Sequence, residues 1–135
     1  MSEHLIKYAK NKRSIHLLKK FKALSIVAPA CERIVSGQKK LEIRSWRPKQ
    51  LPLVDLVIVQ NTQFLYQEGN EQMGEAVAMI DIFAVHAWRI DELEAACANN
   101  WEEGYWAWEI SNVRPIVPRI KMMAKRKIYE IEIDL

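Results

Sequence analysis

Glycine is scarce in this chain, with four residues in 135. No glycine-rich loop exists, which excludes nucleotide binding through a backbone phosphate cradle. Cysteine is scarcer still, with Cys31 and Cys97 alone. The opening Met1-Ser2-Glu3-His4 has no apolar signal core, so both thiols are expected to be reduced in a cytoplasmic protein. The three histidines, His4, His16 and His86, lie far apart, and no His/Cys spacing suits zinc. No metal and no cofactor is expected. Long hydrophobic runs are missing too. The longest, residues 76–85, is interrupted by Asp81 and falls well short of the ~20 residues that cross a bilayer. No membrane partner is expected.

What is present is a globular composition, 50% hydrophobic and 27% charged. A chain of 135 residues fits one domain and buries about two-thirds of its unfolded surface, so it needs no disulfide or metal staple. The net charge of +3 conceals segregation. Residues 1–20 hold six Lys/Arg against one acid, residues 21–60 seven against three, residues 61–110 one against ten, and residues 111–127 six against none. Two basic blocks thus flank an acidic one. Each is either a solvated face or a surface that attracts phosphate over about 8–10 Å.

Residues 1–20 read as a basic arm or short helix, and residues 21–135 as the folded domain. Residues 22–27 read as a strand. Pro29 suits the first turn of a helix and Gly37 its left-handed exit. Ala30, Cys31, Ile34 and Val35 form the apolar face between them. Residues 40–46 alternate as a strand, with Leu41, Ile43 and Ser45 on one face and Lys40, Glu42, Arg44 and Trp46 on the other. Residues 54–59 and 75–85 read as strands apolar on both faces. Asp91 and Glu94 resemble a capping box opening a helix with Ile90, Leu93 and Cys97 as its buried stripe. Residues 105–110 and 127–133 complete the strands. The expected fold is β-rich α+β, a small barrel with two short helices, since closure removes exposed edges.

Residues 36–46 carry the most chemical information. A helix ending at Gly37 puts Lys39 at the mouth of a turn. Glu42, Arg44 and Trp46 then follow on one strand face at about 6.6–7 Å intervals. An ammonium, a carboxylate, a guanidinium and an indole suit a planar polar ligand: Trp stacks, Arg binds phosphate or carbonyl in a fork, and Glu accepts an amine or a proton. The same residues equally describe an exposed strand face with an ion pair under a Trp. Lys39, a charge at a turn, reads as lying outside the core. Trp101, Tyr105, Trp106 and Trp108 read mainly as core packing, with Trp108 the one expected to reach a cleft. His86, in an apolar strand, reads as structural, and Cys31 as a buried thiol rather than a nucleophile.

The pattern Gly37-x-Lys39-x-x-Glu42-x-Arg44, preceded by a strand, a Pro and a short helix, resembles the ASCH domain (activating signal cointegrator homology), a branch of the PUA-like fold. The segment Trp108-Glu-Ile-Ser-Asn-Val-Arg-Pro115 is similar to that family's closing strand and following turn. The resemblance spans about residues 22–135. It implies a PUA-like β-barrel of about six strands, with helices at its ends and a cleft beside the Gly-x-Lys motif. Members are linked to RNA binding and coactivator roles. Some resemble small amidohydrolases that remove acyl groups from N4 of cytidine, and some have been regarded as ribonucleases. On this resemblance Lys39 and Glu42 are expected to be catalytic. Ser25, Arg44, Trp46 and Asn61 are expected to bind substrate, with Trp108, Ser111, Asn112 and Arg114.

One departure matters. The amidohydrolase branch places a Thr nucleophile where this chain has Glu42, and the sole Thr here is Thr62. Its further Glu has two counterparts in the right region, Glu102 and Glu103. The covalent route therefore does not carry over. A water route would use Glu42 as the base and Lys39 as the oxyanion partner. The expected function is hydrolysis of N4-acylated cytosine or cytidine, with non-catalytic RNA binding or RNA cleavage as the alternatives. The partner is a modified nucleoside or single-stranded RNA. A basic path from residues 111–127 to the cleft favours RNA; a closed, base-sized pocket favours the enzyme.

Overall fold

The computed structural model describes residues 18–67 and 69–134. Strand β1 (Leu18–Val27) runs into helix α1 (Ala30–Val35), then β2 (Leu41–Arg44), β3 (Leu53–Asn61) and β4 (Gln72–Ala87). A 3-10 turn (Ile90–Glu92) leads into α2 (Leu93–Ala96), followed by β5 (Trp106–Ala124) and β6 (Ile128–Asp134). The six strands form one sheet in the order β2-β5-β4-β3-β1-β6, curled into a half-barrel. β1 and β3 are parallel and every other pair is antiparallel. Six strands and two short helices make up the β-rich α+β composition expected from the sequence. The outer strands β2 and β6 do not pair with each other, so the sheet stays open on one side.

The long apolar runs become the inner strands because they bury both faces. Leu56 and Ile58 of β3 join Ile80 and Ile82 of β4 and Ile34 of α1 in one core. Val57, Val59 and Met79 point the other way, against Ile116 and Ala124 of β5 and Ile133 of β6. At Gly74 any side chain would collide with β3, since a Cβ there would lie 2.4 Å from the Gln60 carbonyl. Gly37 ends α1 at φ +85°, the left-handed exit its position suggested.

Four expectations need correction. First, β5 does not stop at Ile110. Residues 111–115, expected to form a turn, remain in a 19-residue strand paired with β4. Asn112, at φ 53°, accommodates one of the ladder's irregularities. Second, the 3-10 turn is capped by Arg89 and Glu92 rather than by Asp91 and Glu94: the Glu92 carboxylate reaches back to accept the Arg89 N–H at 3.0 Å. Third, the buried residue of α2 is Ala96. Ile90 is exposed, and Cys97 is half-buried in the left-handed region at φ 55°. Fourth, Leu18, Lys19 and Lys20 pair with Asp134, Ile133 and Glu132, so β1 begins inside the segment read as an arm. Residues 1–17 of that arm lie outside the described residues.

Candidate functional site

The site begins where the β1–β6 ladder ends. That pairing stops at Leu24 opposite Ile128, leaving residues 25–27 of β1 without a strand on that side. β2, held only by β5, faces this gap. The Arg44 guanidinium crosses it, donating from Nη2 to the Ser25 carbonyl at 2.9 Å. A side chain thus closes the half-barrel where a backbone ladder would otherwise run. Beside it lies a cleft of about 710 Å³, within the roughly 300–1,000 Å³ typical of small-ligand sites.

Lys39, Glu42 and Asn61 line the cleft and are nearly inaccessible, at 8%, 6% and 3% exposure. Lys39 follows α1 as its Gly37 exit requires, with its N–H donating to the Arg33 carbonyl at 2.9 Å. Its Nζ donates to the Ala96 carbonyl at the end of α2 at 2.8 Å and lies 3.6 Å from Glu42 Oε1. Glu42 Oε2 accepts from Arg44 Nε at 2.9 Å. Each carboxylate oxygen therefore has its own cation, which is how a buried charge becomes tolerable. The reading of Lys39 as lying outside the core is corrected: two elements grip it, and one of them offers only a backbone carbonyl.

Around this centre, Ser25 Oγ bonds the Tyr129 hydroxyl at 2.7 Å and accepts the Lys125 N–H at 3.1 Å. Burial raises the Tyr129 pKa more than those bonds to Ser25 and Lys125 lower it. The phenol therefore stays neutral. Trp46 is half-buried at the cleft wall, edge-on to Trp108 with ring centres 5.0 Å apart. Asn61 Nδ2 donates to the Gln63 carbonyl at 2.6 Å, while its buried Oδ1 has no partner among the described residues. Lys125, Arg126 and Lys127, in the β5–β6 turn, also line the cleft.

The fold therefore gathers Ser25, Lys39, Glu42, Arg44, Trp46 and Asn61 around one cavity. Trp108 stands behind it, fully buried, with its indole N–H on the Trp46 carbonyl at 3.3 Å. Ser111, Asn112 and Arg114 do not line it. They pair with β4 at a separate polar cluster, where the Asp81 carboxylate accepts from the Asp55 N–H, the Asn112 amide and Arg114. Glu102 and Glu103 are exposed in the loop before β5, and Thr62 is exposed at the end of β3; none of them lines the cleft. Cys31 is buried in the core, its thiol pushed up to about 12 by burial first and then by Glu42 and Glu32. It is inert.

The sequence profile of the ASCH domain matches residues 24–119, most of the chain. The chain belongs to the ASCH domain family. No curated protein sequence matches it. Among solved structures, a mutant ZmASCH protein from Zymomonas mobilis is similar at 19% identity and a TM-score of 0.45, with 73% of each chain covered. The ASCH match contains Lys39, Glu42, Arg44, Trp46 and Asn61, but ends before the basic turn at residues 125–127. That lip of the ASCH cleft was only partly anticipated. The charge count marked Lys125 and Arg126 as a surface, but nothing in sequence indicates that a turn 80 residues after β2 comes to lie beside it. The Ala96 carbonyl was not legible at all, because a backbone atom leaves no residue-type signal.

Proposed function

We propose that the cleft binds one nucleotide of a single-stranded RNA, with the base inside and the phosphates on the lip formed by Lys125, Arg126 and Lys127. The observation that carries this reading is the junction of that basic turn with the cleft. A wholly closed pocket would have favoured a free nucleoside. Each neighbouring group has a matching role. Trp46 offers a stacking surface, Arg44 a fork of donors, and Asn61 an acceptor whose unmet hydrogen bond a base N–H would supply. ASCH membership supports the same reading, through the RNA-related roles of that family. The test is fluorescence anisotropy of a labelled single-stranded RNA. Trp46→Ala is expected to cost about 1–3 kcal/mol with little change in salt dependence. Lys125→Ala/Arg126→Ala is expected to lower the slope of log K against log salt by about 0.7 per lost contact. RNA affinity indifferent to both variants overturns the reading.

A second reading, hydrolysis of an N4-acylated cytosine, rests on the Lys39–Glu42 pair. Glu42 would take a proton from water, and the hydroxide formed would attack the acyl carbon. Lys39 would stabilise the oxyanion with an N–H beyond the one given to Ala96. Glu42 would then return the proton to the leaving exocyclic amine. Carboxylate and cytosine amine are the products. Incubation with N4-acetylcytidine, followed by chromatography, tests it. Glu42→Gln is expected to slow product formation by about 10²-fold or more. No product from the unaltered protein ends this reading and leaves the binding one standing.

A further inference from the structure

On the far side of the Trp46 wall lies a second hollow, of about 520 Å³. Its lining includes Lys22 of β1, Arg47 and Lys49 of the β2–β3 connection, and Lys127 of the β5–β6 turn, and no acidic side chain. It shares Trp46 and Lys127 with the cleft, so the two cavities meet along one partition. There the Lys127 ammonium stands 5.6 Å from the centre of the Trp46 ring. Arg47 is held in place, its guanidinium 4.5 Å from the Trp106 ring centre. None of these four cations forms an ion pair among the described residues, although Glu130 stands opposite Lys22 in the β1–β6 ladder. By contrast, Arg119, from the same basic block, is neutralised by Glu32 at 2.8 Å.

Four unpaired like charges around one concavity repel each other and raise the local concentration of anions. Ammonium and guanidinium groups on a groove wall are the donor set for phosphate, and a nearby indole suits a stacked base. We infer that this hollow seats the nucleotide next to the one in the cleft, its phosphate on Lys22, Lys49 and Lys127. The ligand is then a strand that crosses the Trp46–Lys127 partition, and a mononucleotide fills only half of the site. This rests on the binding reading of the cleft and adds to it a path for the chain and a minimum length of two nucleotides.

The test uses the full chain and two probes, a labelled single-stranded 10-mer RNA and a nucleoside 5′-monophosphate, at two salt concentrations. Lys22 and Lys49 are both exposed, so Lys22→Ala/Lys49→Ala leaves the core untouched. Arg33→Ala/Lys40→Ala removes the same charge from positions outside both cavities and serves as control. The expected result has three parts. The 10-mer binds at least tenfold tighter than the monophosphate. The Lys22/Lys49 variant lowers the 10-mer's salt slope by about 1.4, as two lost single-strand contacts require. The same variant leaves the monophosphate unchanged, and the control leaves both probes nearly unchanged. An unaltered slope in the Lys22/Lys49 variant, or equal loss in the control, overturns the inference while Trp46-dependent binding keeps the cleft reading. Equal affinity for the two probes also overturns it. If neither probe binds the unaltered protein, the cleft reading fails and the inference with it.

Discussion

Lys39 shows what burial does to a motif residue. At 8% exposure its ammonium is held by the Ala96 carbonyl and by Glu42 rather than by solvent. Lys39→Ala leaves the Ala96 carbonyl without its donor and Glu42 with one cation instead of two. A buried group left unsatisfied costs about 1–3 kcal/mol, so the variant is expected to be less stable by about that amount. Urea unfolding measures it, and an unchanged midpoint would show that water replaces the ammonium without loss. The sequence pattern made Lys39, Glu42 and Arg44 visible because their spacing along one turn and one strand is local. It misplaced Ser111, Asn112 and Arg114, of which Asn112 and Arg114 are engaged by Asp81 and Asp55, partners 31 or more residues upstream. Residue type signals that a side chain needs a partner, but not which partner it finds.

At the scale of elements, β5 is where local preference and long-range pairing conflict. Asn112, Pro115 and Pro118 argue for a break, yet the strand runs on to Ala124. Asp81 resolves the conflict. Its carboxylate accepts the Asp55 N–H at 2.9 Å and the Asn112 amide at 2.8 Å, and so pins two residues in the left-handed region, Asp55 at φ 59° and Asn112 at φ 53°. Burial pushes the Asp81 pKa up, but the bonds from Asp55, Asn112 and Arg114 outweigh it and hold the carboxyl below its ordinary value. Asp81→Ala removes every one of these acceptors and is expected to destabilise the fold by about 3 kcal/mol. The exposed Asp91→Ala is expected to stay within about 0.5 kcal/mol. Equal denaturation midpoints for the two variants would mean that the irregularities of β5 hold without Asp81. The apolar stretches of β1, β3 and β4 were legible because they match their burial, and β2 was legible by its alternation. The continuation of β5 was not, since its cause lies on β3 and β4.

For the whole molecule, the charge segregation read from sequence survives only in part. Cations border the cleft and the adjoining hollow, yet Glu71 of the acidic block stands beside the basic turn, and His86 of β4 sits between two carboxylates of that block with Lys40 and Arg89 nearby. His86 Nε2 lies 2.8 Å from Glu92 and Nδ1 2.9 Å from Glu109, which joins β4, β5 and the 3-10 turn. That turn leads into α2, whose Ala96 carbonyl holds Lys39. Burial lowers the His86 pKa, but hydrogen bonds and charge from Glu92 and Glu109 overcome it, and the net value lies above the usual 6.5. A pKa raised in the folded state means that the native protein binds the proton more tightly than the unfolded chain. The resulting stability is fully present below about pH 6.5 and disappears as pH rises through the raised folded value. His86→Gln removes the linkage while retaining a side chain that hydrogen-bonds. The thermal midpoint of the unaltered protein is therefore expected to exceed that of His86→Gln by a wider margin at about pH 5.5 than at about pH 9, where the imidazole is neutral in both states. A margin that is constant across this range, or that widens toward alkaline pH, would show that Glu92 and Glu109 do not act on a charged His86.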